Sequence, residues 1–123
     1  MIRICAVLAA VAVLGTTTAA ARPQHRTDLV LDYMADAGYA VAVRLHCEPP
    51  GGGHPKPVKA CATLKKAGGL PARIKAADTM CMMLYDPLTA EITGTWKGRR
   101  IDWQQRYANK CEMVRATGVL FAF

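Results

Sequence analysis

Apolar and polar residues alternate with a period of two over several stretches of this chain, and proline and glycine fill the gaps between them. Leu29–Met34 (LVLDYM) predicts a first strand. Ala37-Gly38 supplies a turn, and Tyr39–Cys47 (YAVAVRLHC) predicts a second strand with Val41, Val43 and Leu45 on one face and a solvated His46 on the other. The two are expected to pair as a hairpin. Glu48–Pro57 (EPPGGGHPKP) reads as a loop without regular structure, and His54 as a loop residue with no acid or nucleophile beside it. Val58–Ala67 predicts a short amphipathic helix, with Val58, Cys61, Ala62 and Leu64 inward and Lys59, Lys65 and Lys66 outward, stopped by Gly68-Gly69. Leu70–Thr79 connects onward, with Ile74 tucked into the core. Leu88–Trp96 predicts a strand with a bulge at Gly94, and Lys97-Gly98 a tight turn. Arg99–Tyr107 is then its hairpin partner, with Ile101, Trp103, Gln105 and Tyr107 inward. Asn109–Thr117 predicts a second helix stopped by Gly118, and Val119–Phe123 (VLFAF) a last strand that fixes the C-terminus in the sheet. Five strands and two short helices make one α+β domain with an antiparallel sheet.

Asp78–Pro87 (DTMCMMLYDP) fits neither period well. Its run of Met80, Cys81, Met82, Met83, Leu84 and Tyr85 can be read as a buried strand, since methionine fills gaps in cores. The rival reading is an exposed, extended apolar loop pinned at Cys81, which marks a surface for a partner. Asp86-Pro87 ends the stretch in a turn either way.

The first residues change the picture of where the protein works. Arg3, the apolar run Ile4–Gly15 and the small residues Ala19–Ala21 form a secretory signal over residues 1–21, with cleavage expected after Ala21. The run is too short to span a membrane, so no membrane association is expected once it is removed. Residues 22–123 remain, about 100 residues and enough for one core. Cys5 leaves with the signal. Cys47, Cys61, Cys81 and Cys111 remain, an even set that implies two disulfides in one of three pairings. A bridge between Cys47 and Cys61 would close a ring around the proline- and glycine-rich loop and staple it. Their wide spacing, with no C-x-x-C pair, argues against zinc, and no metal or cofactor is expected.

The net charge of +7 is spread along the chain rather than massed in a stripe, and no nucleic-acid-binding module is present, so nucleic acid is not expected as a partner. Neither a phosphate-binding glycine loop, nor G-x-S-x-G, nor H-E-x-x-H occurs, and no acid–base constellation can be assembled. The chain does not read as an enzyme.

Several stretches together resemble the Streptomyces subtilisin inhibitor family. They are Leu45–Pro49 with Gly53-His54-Pro55, Ala60-Cys61 with Gly68-Gly69, Met80–Pro87, Gly94–Gly98, Asn109–Met113 and Val119–Phe123. The resemblance implies bridges Cys47–Cys61 and Cys81–Cys111, a secreted inhibitor of serine proteases of the subtilisin type, and Met83–Leu84 as the bond offered to the protease. It further implies flanking contacts from Met80, Cys81, Met82 and Tyr85, support of the loop by Asn109 and Cys111, and homodimers formed through the sheets. A methionine at the cleavage position suits the broad pocket of subtilisin-like enzymes or a chymotrypsin-like slot, and lacks the cation that trypsin's acidic pocket demands. Family members often carry proline where this chain has Met82, and more varied residues in place of Gly51–Gly53. The connection between the first two strands is also shorter here. Two other readings compete: a structural or adhesive module whose methionine stretch is buried in a core or dimer seam, and an inhibitor of a metalloprotease acting through another edge.

Overall fold

Every second residue of β1 (Thr27–Ala35) is buried, so this strand lays Leu29, Leu31, Tyr33 and Ala35 against the core. The computed structural model describes residues 12–19 and 26–123. Most of the expected signal, Met1–Ala21, lies outside the described residues; the part at 12–19 has no regular structure and is exposed.

β1 is central in a five-stranded antiparallel sheet of order β3-β2-β1-β4-β5. It pairs on one side with β2 (Ala40–Cys47), as the turn at Ala37-Gly38 predicts, and on the other with β4 (Leu88–Trp96). β4 and β5 (Arg99–Tyr107) form the second expected hairpin. Positive φ at both Lys97 (47°) and Gly98 (81°) gives the turn that matches strand twist. Gly94 is not a bulge. The β1–β4 register runs unbroken through Leu29 and Gly94, and a Cβ there would overlap the Asp28 carbonyl oxygen, so glycine allows the two strands to approach.

Several expectations fail. Val119–Phe123 is no strand: Gly118–Phe121 is a 3-10 turn that drops Leu120 and Phe121 into the core. The C-terminus is fixed by packing, with the Tyr33 hydroxyl donating to the Phe123 carbonyl at 3.1 Å and Lys110 Nζ donating to it at 2.8 Å. A short apolar run cannot by itself distinguish a strand from a buried turn. The fifth strand comes instead from the stretch expected to be irregular: β3 (Gly51–Gly52) pairs with Leu45 and His46 of β2. His54 is likewise not an idle loop residue. It is buried, accepts from the Lys56 amide at Nδ1 (2.9 Å) and donates from Nε2 to the Leu120 carbonyl (3.0 Å), tying this loop to the C-terminal turn.

Helix α1 (Pro57–Lys66) opens on a proline at its first position and closes with Lys65 and Lys66 in its last turn. Its buried face is Ala60, Cys61 and Leu64; Val58 and Ala62, expected inward, are exposed. The cysteine explains the rotation, because Cys61 must face β2 to bridge Cys47, with Cα atoms 5.9 Å apart. That 15-residue ring removes about 3 kcal/mol of unfolded-state freedom. Trp96 at the end of β4 lies against Gly69, where any side chain would collide with its ring. Ile74 packs on the core as expected, just beyond a 3-10 turn at Pro71–Arg73. Helix α2 (Lys110–Thr117) buries Met113 and Thr117 on the same face of the sheet.

The other sheet face is bare. Asp32 on β1 stands opposite Glu91 on β4 there, and burial raises its pKa above the ordinary 3.8. The fold thus favours the protonated form: its contribution to stability is full below the unfolded pKa and is lost as pH rises through the raised native value. Asp32→Asn is expected to raise the melting temperature at pH 7 by about 1–2 °C, a gain that vanishes below about pH 3.8. Paired thermal melts at the two pH values check it.

Candidate functional site

Asn109 accepts a hydrogen bond from the Glu112 amide at Oδ1 (2.8 Å) and so caps α2. That bond fixes the orientation of its side-chain amide. The opposite end, Nδ2, then points at the methionine stretch and donates to the Leu84 carbonyl at 2.7 Å, with the Met82 carbonyl at 3.5 Å. One buried side chain thus starts a helix and holds two neighbouring loop carbonyls.

The stretch is a loop, not a buried strand. Met83 is 105 % exposed and Met80 97 %, and Met82, Leu84 and Tyr85 are also exposed. Three exposed methionines, a leucine and a tyrosine in sequence form a contiguous apolar surface of the kind that marks a binding site. Burial in a core is therefore excluded for this chain. Proline at 87 and the lack of any helical period explain why the stretch joins no element. Its crown is not uniformly extended, because the Leu84 amide donates to the Met82 carbonyl at 2.8 Å and closes a three-residue turn centred on Met83.

Both legs of the loop are tied. On the near side, the Ala77 amide donates to the Arg115 carbonyl (2.9 Å), and Cys81 is bridged to Cys111 in the first turn of α2, with Cα atoms 5.7 Å apart. This 31-residue ring is worth about 3.7 kcal/mol of unfolded-state entropy. On the far side, the Asp86 amide donates to the Ala108 carbonyl (2.9 Å) and the Asp36 amide to the Pro87 carbonyl (3.0 Å). The Tyr39 hydroxyl stands 3.5 Å from the Asp86 carboxylate. Burial, and then the Asp86 charge, push the Tyr39 pKa up. The expected loop and support residues (Met80, Cys81, Met82, Met83, Leu84, Tyr85, Asn109 and Cys111) lie on this loop or directly behind it, while Cys47 and Cys61 bridge β2 to α1. A cleft of about 270 Å³, lined among others by Met83, Tyr85, Asn109 and Glu112, lies beneath the crown.

The far-side contacts through Asp36, Tyr39 and Ala108 had no sequence signal except the brevity of the β1–β2 turn, which brings that hairpin tip to the loop. The same turn supplies an ion pair. Arg106 donates from Nη1 to Asp36 Oδ1 (3.0 Å) and from Nη2 to Oδ2 (2.6 Å). That hydrogen bond lowers the Asp36 pKa and raises that of Arg106.

The four cysteines are spent in disulfides, and no group of three or more His, Cys, Asp or Glu among the described residues is placed to hold a metal ion. No helix among the described residues is long and apolar enough to cross a membrane. What the site can do is present one short backbone segment, held from behind, to a partner that binds extended peptide.

The family profile described as subtilisin inhibitor-like matches residues 25–109. Subtilisin inhibitor-like protein 1 of Streptomyces cacaoi is 44 % identical over 93 residues, 72 % of this chain and 84 % of that protein. The subtilisin inhibitor of Streptomyces albogriseolus is 42 % identical over 84 residues, 67 % of this chain and 58 % of that protein. Among solved structures, Streptomyces caespitosus sermetstatin in complex with Bacillus licheniformis subtilisin matches with a TM-score of 0.64 at 25 % identity, covering 78 % of this chain and 97 % of that one.

Asn109→Asp separates the two ends of the bridging amide. The carboxylate keeps the cap on Glu112 but cannot donate to Leu84. The melting temperature is expected to hold within a few degrees, while the opening of the loop, read by hydrogen exchange of the Leu84 amide, rises about tenfold, as loss of one hydrogen bond of ~1.4 kcal/mol requires.

Proposed function

The chain belongs to the subtilisin inhibitor-like family, and on that premise we propose that it is a secreted inhibitor of serine proteases of the subtilisin type, acting through its methionine loop with Met83–Leu84 as the bond presented. The observation that carries the proposal is the combination at Leu84: an exposed residue, next to the most exposed residue of the loop, whose carbonyl is gripped from within by a buried asparagine.

The mechanism follows from ordinary acyl transfer. The protease serine attacks the Met83 carbonyl carbon, and the Leu84 nitrogen leaves as an amine with a proton from the protease's histidine. In a free peptide the amine diffuses away and water completes hydrolysis. Here Leu84 and Asp86 remain bonded to Asn109 and Ala108, and Cys81 remains bonded to α2, so the amine stays beside the ester at high effective concentration. Resealing expels the serine and returns the intact bond. Because the loop is ordered before binding, little entropy is lost on docking, and the complex is tight and slow to turn over. The inhibitor contributes no catalytic group.

Met83 fills the protease's main specificity pocket in this reading, with Met80, Cys81, Met82 and Tyr85 along the flanking subsites. Loss of the family's proline at Met82 is offset by the tertiary anchors on both legs. Export rests on the leader over residues 1–21, and self-association as a homodimer on the bare outer face of the sheet, where Val30 and Met34 are exposed. Protein recovered from culture medium is expected to begin at Arg22 and to sediment at twice the single-chain mass; a single-chain mass removes the dimer.

Titration against subtilisin is expected to give stoichiometric loss of protease activity. Met83→Lys is expected to move inhibition from subtilisin towards trypsin by about a hundredfold or more in relative affinity, since a buried cation is exchanged for an apolar contact. Unchanged preference would place the primary contact at another residue.

A further inference from the structure

Basic residues that lie scattered along the sequence are gathered in space at the end of α1. A cleft of about 340 Å³ there is lined by Lys66, Arg73 and Lys75 over a floor that includes Ala67 and Ile74, and no aspartate or glutamate lines it. Ile74 packs on the core, which leaves Arg73 and Lys75 on either side of it exposed. The segment carrying them is anchored: the Ile74 amide donates to the Pro71 carbonyl (3.1 Å) and the Ala77 amide to the Arg115 carbonyl (2.9 Å). None of the ion pairs among the described residues uses Lys66, Arg73 or Lys75. Three like charges held around one cleft repel one another, and an anion between them relieves that repulsion. Lys65, beside Lys66 in the last turn of α1, lines an adjoining cleft of about 410 Å³ together with Lys97, Trp96 and the Cys47–Cys61 bridge; Glu48 is the acid among its lining residues.

We propose that the two clefts form a docking track for a linear phosphate polymer, with Lys66, Arg73 and Lys75 taking phosphates in the first and Lys65 and Lys97 in the second. The charge of the first cleft calls for an anion, and the chemistry of its walls narrows the choice. Nucleic acid bases stack on exposed aromatic rings. No aromatic residue lines the first cleft, and Trp96 in the second is only 5 % exposed. The Thr63 hydroxyl, which also lines the first cleft, donates to the Lys59 carbonyl at 2.9 Å and is not free to donate to a sugar. Recognition is left to ammonium and guanidinium groups, which suits a chain of bare phosphates. Once one phosphate is seated, its neighbours reach the second cleft at high effective concentration, so a polymer binds where a free phosphate does not. Gly118, just past α2, lines the first cleft, whereas Asn109 caps the other end of that helix, roughly 12 Å away. A bound polymer therefore leaves Met80–Tyr85 facing solution, and binding here does not depend on what that loop does.

The test titrates the chain with inorganic polyphosphate, with orthophosphate at the same phosphate concentration, with a sulfated polysaccharide and with single-stranded DNA, at several salt concentrations. Polyphosphate is expected to bind at least about tenfold more tightly per phosphate than orthophosphate, and more tightly than either other polymer. Amide NMR shifts are expected to move over residues 63–75 and at Lys97 and to stay still over residues 80–87. Combining Arg73→Gln with Lys75→Gln is expected to weaken polyphosphate about tenfold or more and to lower the slope of log Kd against log salt by about one to two. Arg44→Gln with Arg106→Gln removes the same charge from the opposite face of the sheet and is expected to cost less than about threefold, a general charge effect. Both pairs are exposed, and unchanged far-ultraviolet circular dichroism confirms that the variants fold. Equal losses in the two double variants, equal affinity for orthophosphate per phosphate, shifts centred on the loop, or no binding of polyphosphate overturn the assignment. Tighter binding of the sulfated polysaccharide or of DNA overturns the choice of a phosphate polymer.

Discussion

The side chain of Asn109 couples a rigid body to an exposed strand of chain. A carboxamide offers an acceptor at one end and two donors at the other, and here the acceptor is committed to the first turn of α2. The donors therefore cannot turn away from the loop without uncapping the helix. Because α2 is seated by Met113 and Thr117, both fully buried, the stiffness of the core is passed through one planar group to the carbonyls of Met82 and Leu84. A serine or aspartate would cap the helix as well. Neither would present two donors to the loop.

The rest of the architecture serves to put that group and its target within reach. The sheet carries α2 on the same face as α1, the Cys81–Cys111 bridge ties the loop's approach to the first turn of the same helix, and the short β1–β2 hairpin brings Asp36 to its exit. Both sides of the loop therefore end on elements that are already ordered. The backbone at Met82 is thereby restrained without a proline. Proline reduces the freedom of the unfolded loop, whereas anchors act on the folded loop, and either leaves few conformations to lose on docking. The three-residue turn at Met83, closed by the Leu84 amide, adds a local restraint of its own.

How far all this could be read from the chain depends on how local each cause is. The two hairpins, both helices and the loop boundary at Pro87 follow from alternation, amphipathic spacing and turn residues, which act within a few positions. The cysteine pairing came from resemblance, and the structure contains both bridges; the resemblance also pointed to Asn109, whose Nδ2 donates to the Leu84 carbonyl. What escaped were long-range effects. Val119–Phe123 has the composition of a strand, but it pairs with none, and burying Leu120 and Phe121 satisfies the same apolar residues in a turn. Gly51–Gly52 looks shapeless, yet the absence of side chains lets it lie against His46 and the Arg44 carbonyl on β2. His54 became structural because Leu120, far along the chain, brought it a carbonyl.

The same distinction separates the two halves of the loop. The approach to Met83 is held by a covalent bond whose partners are visible as cysteines. The exit is held by hydrogen bonds to the Ala108 carbonyl and from the Asp36 amide, residue types that carry no signal of their own. Under the proposed mechanism, cutting the bond after Met83 leaves the approach joined to the protease through the ester, and only the exit is free to leave. The outcome of an encounter between such a loop and a protease is therefore governed less by the disulfide than by the weaker contacts on the far side. Each is modest, since a hydrogen bond contributes about 1 kcal/mol. Together they need only delay the departure of one amine past the time it takes to reseal, which is a kinetic demand that a few such bonds can meet.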